Sequence, residues 1–227
     1  TITGGALRAT DGTSLPASSN LSLNGGVLET AGEFQRAIGT AAGQVQWSAA
    51  NANGGFAAST AKLTVDLGGT TIGVNDGPSL TWGTGGIGNG TGTLILGSTT
   101  SLAETQLVNA IDLGTGFTTT RTIQVDDNGT TNTDYSTVSG VLSGTAAVGT
   151  AALTKTGGGV LVLTGNNTFT GGGNGTAGTG GVVVNNGTLI VSNLGASGPL
   201  GALTGVADAT NRLVIGGAAN NPNFVYV

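Results

Sequence analysis

Glycine, a variable residue and leucine recur in that order along the chain, each time beside an apolar or turn residue. The theme reads GGALRAT (4–10), GGVLETA (25–31), GTGTLILGS (90–98), SGVLSGT (139–145), GGVLVLTGN (158–166) and NGTLIVSN (186–193), with a looser copy in NRLVIGG (211–217). The spacing is irregular: 21 residues from Leu7 to Leu28, 19 from Leu142 to Leu161, 28 from Leu161 to Leu189 and 24 from Leu189 to Leu213. Self-similarity at this scale points to stacked units joined by loops of varied length. Apolar clusters such as LTVDL (63–67), TLILG (93–97) and RTIQV (121–125) are short and bounded by Gly, Asn, Asp, Ser or Thr, which is the pattern of strands separated by turns.

Composition decides between an ordered fold and a disordered one. Of 227 residues 45 are glycine, without a G-X-Y period, which excludes collagen. Disordered chains are poor in apolar residues and rich in charge, whereas this one is 37% hydrophobic and 7% charged, with a formal net charge of -5. Short strands, small turn residues and a repeat of 20 to 28 residues fit one coil of a parallel β-helix, stacked on its neighbours through main-chain hydrogen bonds. The expected fold is therefore all-β, a single elongated β-helix domain over 1–227 of roughly 9 to 11 coils, about 45 to 50 Å long. Leu28, Leu63, Val65, Leu80, Leu94, Leu96, Ile123, Val125, Leu142, Leu161, Leu163, Leu189, Val191, Leu213 and Ile215 are expected to point inward. One segment carries a competing signal: in SLAETQLVNAIDL (101–113) Ser101 and Glu104 make a capping box, and Leu107, Val108 and Ile111 fall at helical spacing. Its strand-like flanks favour strands.

The clearest repeat unit, 152–191, also carries a resemblance. ALTKTGGGVLVLTGNNTFTG followed by GGVVVNNGTLIVSN resembles the autotransporter-associated β-strand repeat, through Leu153, Lys155, Gly157, Gly159, Leu161, Leu163, Gly165, Asn167, Thr170 and Gly171, then Gly187, Thr188 and Leu189. Phe169 stands where the family usually has Tyr, and GGNGTAGTGG (172–181) is inserted between the halves. The resemblance implies a right-handed parallel β-helix, exported to the surface or exterior of a Gram-negative-type bacterium. The chain lacks an initiating Met, so it is read as a processed or excised part of a longer exported protein.

Candidate chemistry is sparse. The chain has no His and no Cys, which removes imidazole-based and thiol-based sites and leaves only Ser–Lys and carboxylate pairs. No cofactor is expected, and the protein is read as no enzyme. The acidic cluster nearest a metal pattern is Asp126, Asp127 and Asp134 in DDNGTTNTD, with Arg121 before it. One reading makes the three carboxylates weak calcium ligands and Arg121 a substrate clamp; the other makes VDDNG a turn and puts Arg121 on the solvent face. The EF-hand spacing is missing, and TGGIGNGTG (84–92) has Asn at the acidic position of the calcium-binding nonapeptide. Trp47 and Trp82 would form a sugar-stacking platform if both faced outward; the alternative places them in the interior. Asn20, Asn89, Asn128, Asn166, Asn174 and Asn186 head N-x-S/T sequons, matches that arise readily by chance in such a composition.

The expected partner is a second copy. Strand-like sequence at Thr1, Ile2 and Thr3 and at Phe224, Val225, Tyr226 and Val227 would leave unpaired edges suited to head-to-tail extension into a filament. The runner-up is an adhesin passenger binding carbohydrate, and the third a polysaccharide-degrading enzyme on the same scaffold. Scattered cations argue against nucleic acid, and no apolar run is long enough to span a bilayer.

Overall fold

Aliphatic and β-branched residues between glycines do form strands, and every regular element described is a strand. The computed structural model describes residues 1–69, 71–75, 77–172, 181–191, 197–198, 201–202, 213–215 and 222–226. The strands run Ala6–Arg8 (β1), Leu21–Leu23 (β2), Val27–Phe34 (β3), Val45–Trp47 (β4), Gly54–Val65 (β5), Leu80–Gly83 (β6) and Ile87–Gly88 (β7). They continue as Leu94–Leu96 (β8), Thr105–Leu107 (β9), Ile111–Phe117 (β10), Arg121–Val125 (β11), Ser136–Val138 (β12), Leu142–Ala146 (β13) and Leu153–Thr156 (β14). The last are Val160–Leu163 (β15), Val182–Val184 (β16), Thr188–Val191 (β17), Ser197–Gly198 (β18), Gly201–Ala202 (β19), Leu213–Ile215 (β20) and Asn223–Tyr226 (β21). The segment with the capping box is β9 and β10, without a helix.

Thirteen strands join in one sheet, ordered β20-β16-β14-β11-β8-β5-β9-β12-β15-β17-β21, with β3 also on β5 and β1 on β3. All its pairings are parallel. Strand β5, twelve residues long, holds the sheet together. Its start, Gly54–Phe56, pairs with Leu94–Leu96, and its end, Leu63–Val65, pairs with Thr105–Leu107. Smaller sheets of four, two and two strands complete the molecule.

This pairing overturns the expectation of a single elongated right-handed β-helix. The main sheet is continuous, nearly closed and barrel-like. Repeating Gly-x-Leu units specify short parallel strands and their order, but not how the chain turns between them. Because β5 pairs with β8 through its start and with β9 through its end, the two runs of strands belong to one sheet.

The register aligns side chains into inward ladders. Phe34, Val65, Leu107, Val138, Leu163 and Val191 are successive partners and all buried. Each such side chain contributes roughly 1.5 to 3 kcal/mol on burial. Of the residues expected inside, Ile215 is instead 49% exposed and Leu213 only partly buried. Their strand, β20, pairs with β16 alone among the described residues.

Candidate functional site

Alternation along a strand places two cations inside. In β11 the burial of Arg121, Ile123 and Val125 follows the two-residue period, so Arg121 belongs to the inward face and not to solvent. Its Nε donates to Leu113 O at 2.9 Å and its Nη1 to Gly90 O at 3.1 Å, while the guanidinium carbon lies 4.7 Å from the Phe117 ring centre. Burial lowers its pKa, and the charge of Asp112 acts in the opposite direction.

Lys155 follows the same rule two residues after Leu153. It occupies a ladder of Leu94, Ile123, Lys155, Val184 and Ile215 and is fully buried. Its aliphatic stem packs as a core residue would, and its Nζ donates to Thr156 O at 2.8 Å, Gly157 O at 2.7 Å and Asn186 O at 3.0 Å. Burial pushes the ammonium down to about 8, partly offset by the charges of Asp126 and Asp127. Gly187, at φ 67°, leaves room for that head group, since a Cβ there would sit 2.7 Å from Nζ. Lys155 is thus a clamp for the turns at both ends of its repeat unit.

The buried anion on the main sheet is Glu29, in β3. It accepts from Arg8 Nε at 2.7 Å and also from Arg8 Nη2, from Ser98 Oγ at 2.9 Å and from Thr100 Oγ1 at 2.5 Å. A second ion pair, Arg36 with Asp11, ties two N-terminal loops, and a third, Lys62 with Glu104 at 3.0 Å, lies on the surface. Ser59 and Lys62 form an S-x-x-K match, which corrects the reading that neither Lys62 nor Lys155 belongs to such a signature. On a strand, residues three apart point to opposite faces, and Ser59 is buried while Lys62 is exposed toward Glu104. The pair cannot act as nucleophile and base.

The expected calcium ligands do not converge. Asp134 is buried and accepts from Asn128 N at 2.6 Å, Asp126 accepts from Gln124 Nε2 at 2.8 Å, and no group of three or more acidic residues among those described could hold a metal ion. The stacking platform is corrected as well: Trp47 and Trp82 are buried, with indole N–H groups donating to Gly54 O at 3.1 Å and Gly92 O at 3.2 Å. Both fill the interior. The sequons at Asn20, Asn89 and Asn128 spend their side-chain amides on backbone carbonyls, and Asn174 lies outside the described residues.

At the expected assembly ends, Ile2 is buried and bridges Leu23, its N–H donating to Ser22 O at 2.8 Å, while Thr1 and Thr3 are exposed. Phe224, Val225 and Tyr226 lie in β21, which pairs with β17. Val227 lies outside the described residues. Among those described, no helix is long and apolar enough to cross a membrane.

No family model, curated protein or solved structure matches the chain.

Proposed function

We propose that the protein is a structural module of the exterior of a Gram-negative-type bacterial cell, which lengthens by joining the sheet edge of one copy to that of another. The observation carrying this reading is the pairing at the sheet's limits. Among the described residues β1 pairs only with β3, β20 only with β16 and β21 only with β17. A parallel strand with one free side presents unpaired main-chain donors and acceptors, which a second copy satisfies. Contact between two different edges is heterologous, so it generates an open filament unless its rotation closes a ring. The low charge supports the reading, because a formal net charge of -5 spread over 227 residues opposes such contact weakly. In this reading the protein is no enzyme and binds no nucleic acid; the adhesin alternative has lost the aromatic platform it relied on.

The test is association of the intact chain by light scattering and electron microscopy, set against deletion of Thr1 to Ala9. A second variant, Leu7→Lys, places a charge on the exposed edge strand and leaves Ile2 in the core. Filaments in the intact chain, lost in both variants, support the proposal. An intact chain that stays monomeric when concentrated, or variants that assemble as before, overturns it.

A further inference from the structure

A groove of about 320 Å³ opens beside β10 and β11, lined by Gly90, Thr91, Phe117, Thr118, Thr119 and Arg121 among others. Its size is at the lower end of small-ligand clefts. The threonines are exposed, whereas Arg121 is 8% exposed and held rigidly by Leu113 O, Gly90 O and the Phe117 ring. Two features of that guanidinium are unusual for a buried cation. Among the described residues no carboxylate forms an ion pair with it and no acceptor takes a hydrogen bond from its Nη2, which is not sealed from solvent. Asp112 acts on the guanidinium through its charge but makes no direct ion pair with it, so an anion arriving from the groove would be its first contacting counter-ion and would offset the cost of burial.

We infer that this groove binds a carboxylate-bearing, polyhydroxylated ligand, a sugar acid, with Arg121 as its anchor. Nη2 keeps both of its hydrogens for a ligand, and a guanidinium offers a carboxylate charge-assisted hydrogen bonds where an ammonium acts only as a point charge. Fixed in advance, the guanidinium loses little entropy on binding. Thr91, Thr118 and Thr119 supply hydroxyls that both donate and accept, as sugar hydroxyls require. Recognition of an anion by a net acidic chain must be local, and Arg121 is the buried cation that lines the groove. The site is independent of the sheet edges, so association and binding are read out separately.

The experiment is calorimetric titration of the intact protein with glucuronate, with glucose and acetate as controls. Saturable binding of glucuronate in the millimolar range or tighter is expected, with each control weaker by about tenfold or more. Arg121→Lys, which keeps the charge but loses the guanidinium, should weaken glucuronate about tenfold. Because Arg121 is buried and its replacement can disturb the fold, Thr119→Trp, at an exposed rim position, provides a second variant that fills the groove and should abolish binding. Failure of glucuronate to bind overturns the inference, as does equal binding of glucose or of acetate. Undiminished binding by Thr119→Trp overturns it too.

Discussion

Lys155 shows how one side chain can serve as core and as clamp. Three carbonyls receive its ammonium, but burial still favours the neutral form in the folded state, with the pKa lowered from 10.5 to about 8. The folded protein therefore binds this proton less readily than the unfolded chain. The penalty is fully present below about pH 8 and is relieved as pH rises toward 10.5, a gain of about 3 kcal/mol. Denaturant midpoints of the intact protein are expected to rise between about pH 8 and pH 10, and those of Lys155→Met to lack that rise. Staying below pH 10 limits interference from Tyr135, whose hydroxyl is pushed upward by burial and by Glu104. Identical pH profiles for the two proteins would remove Lys155 from the account. Gly55 makes the opposite point, since it matters for what it lacks. A Cβ at this position would lie 1.9 Å from Ile95 O on β8, so Gly55→Ala must push two strands apart. A loss of about 2 kcal/mol or more, read from the urea midpoint, is expected.

Strands are held by their ladders and, at the N-terminal edge, by one ionic staple. Glu29 on β3 takes hydrogen bonds from Arg8 on β1 and from Ser98 and Thr100 beyond β8. Glu29→Ala removes the acceptor common to all of them and should cost about 2 to 3 kcal/mol. The loss should be read locally, as faster amide exchange in β1 than in β6; uniform acceleration would show that the staple acts on the whole sheet instead. At this scale much of the structure was legible. RTIQV, LTVDL and TLILG alternate or run apolar between turn residues; the first is a strand throughout, and the other two are strands over Leu63–Val65 and Leu94–Leu96. Legibility failed where a charged residue occupied an inward position. Arg121 precedes Ile123 and Val125 by even steps, and Lys155 follows Leu153 by two, so the period marks both as interior, whereas the charge of Arg121 argued for the solvent face. The period prevailed because backbone carbonyls were available to receive them. Trp47 and Trp82 carry no such mark, since a tryptophan suits a core and a binding face alike until the Gly54 and Gly92 carbonyls are seen to accept its N–H. Arg121's groove was invisible in advance because β6, β10 and β11 and the loops beside them meet only in three dimensions.

The whole molecule is organised around β5, which pairs with β3, β8 and β9 and belongs to both runs of the main sheet. Amide exchange should accordingly be slowest in β5 and its neighbours and fastest in β20 and β21, each with one partner among the described residues. Equal protection throughout would contradict this gradient. The irregular spacing of the Gly-x-Leu units left the course of the chain between strands undetermined, which is why the continuous sheet was not foreseen. Its pairing order has a consequence for how such a chain comes to be folded at all. In the main sheet every strand lies against one that precedes it in sequence: β9 on β5, β12 on β9, β15 on β12, β17 on β15 and β21 on β17, and likewise from β8 to β20. No later strand is inserted between two earlier ones. Folding can therefore keep pace with a chain that emerges amino end first, each new strand finding its template already in place and never waiting for residues still to come. A protein ending at residue 172 should then retain a cooperative unfolding transition, while one beginning at residue 66 should not, because the template strand itself would be missing.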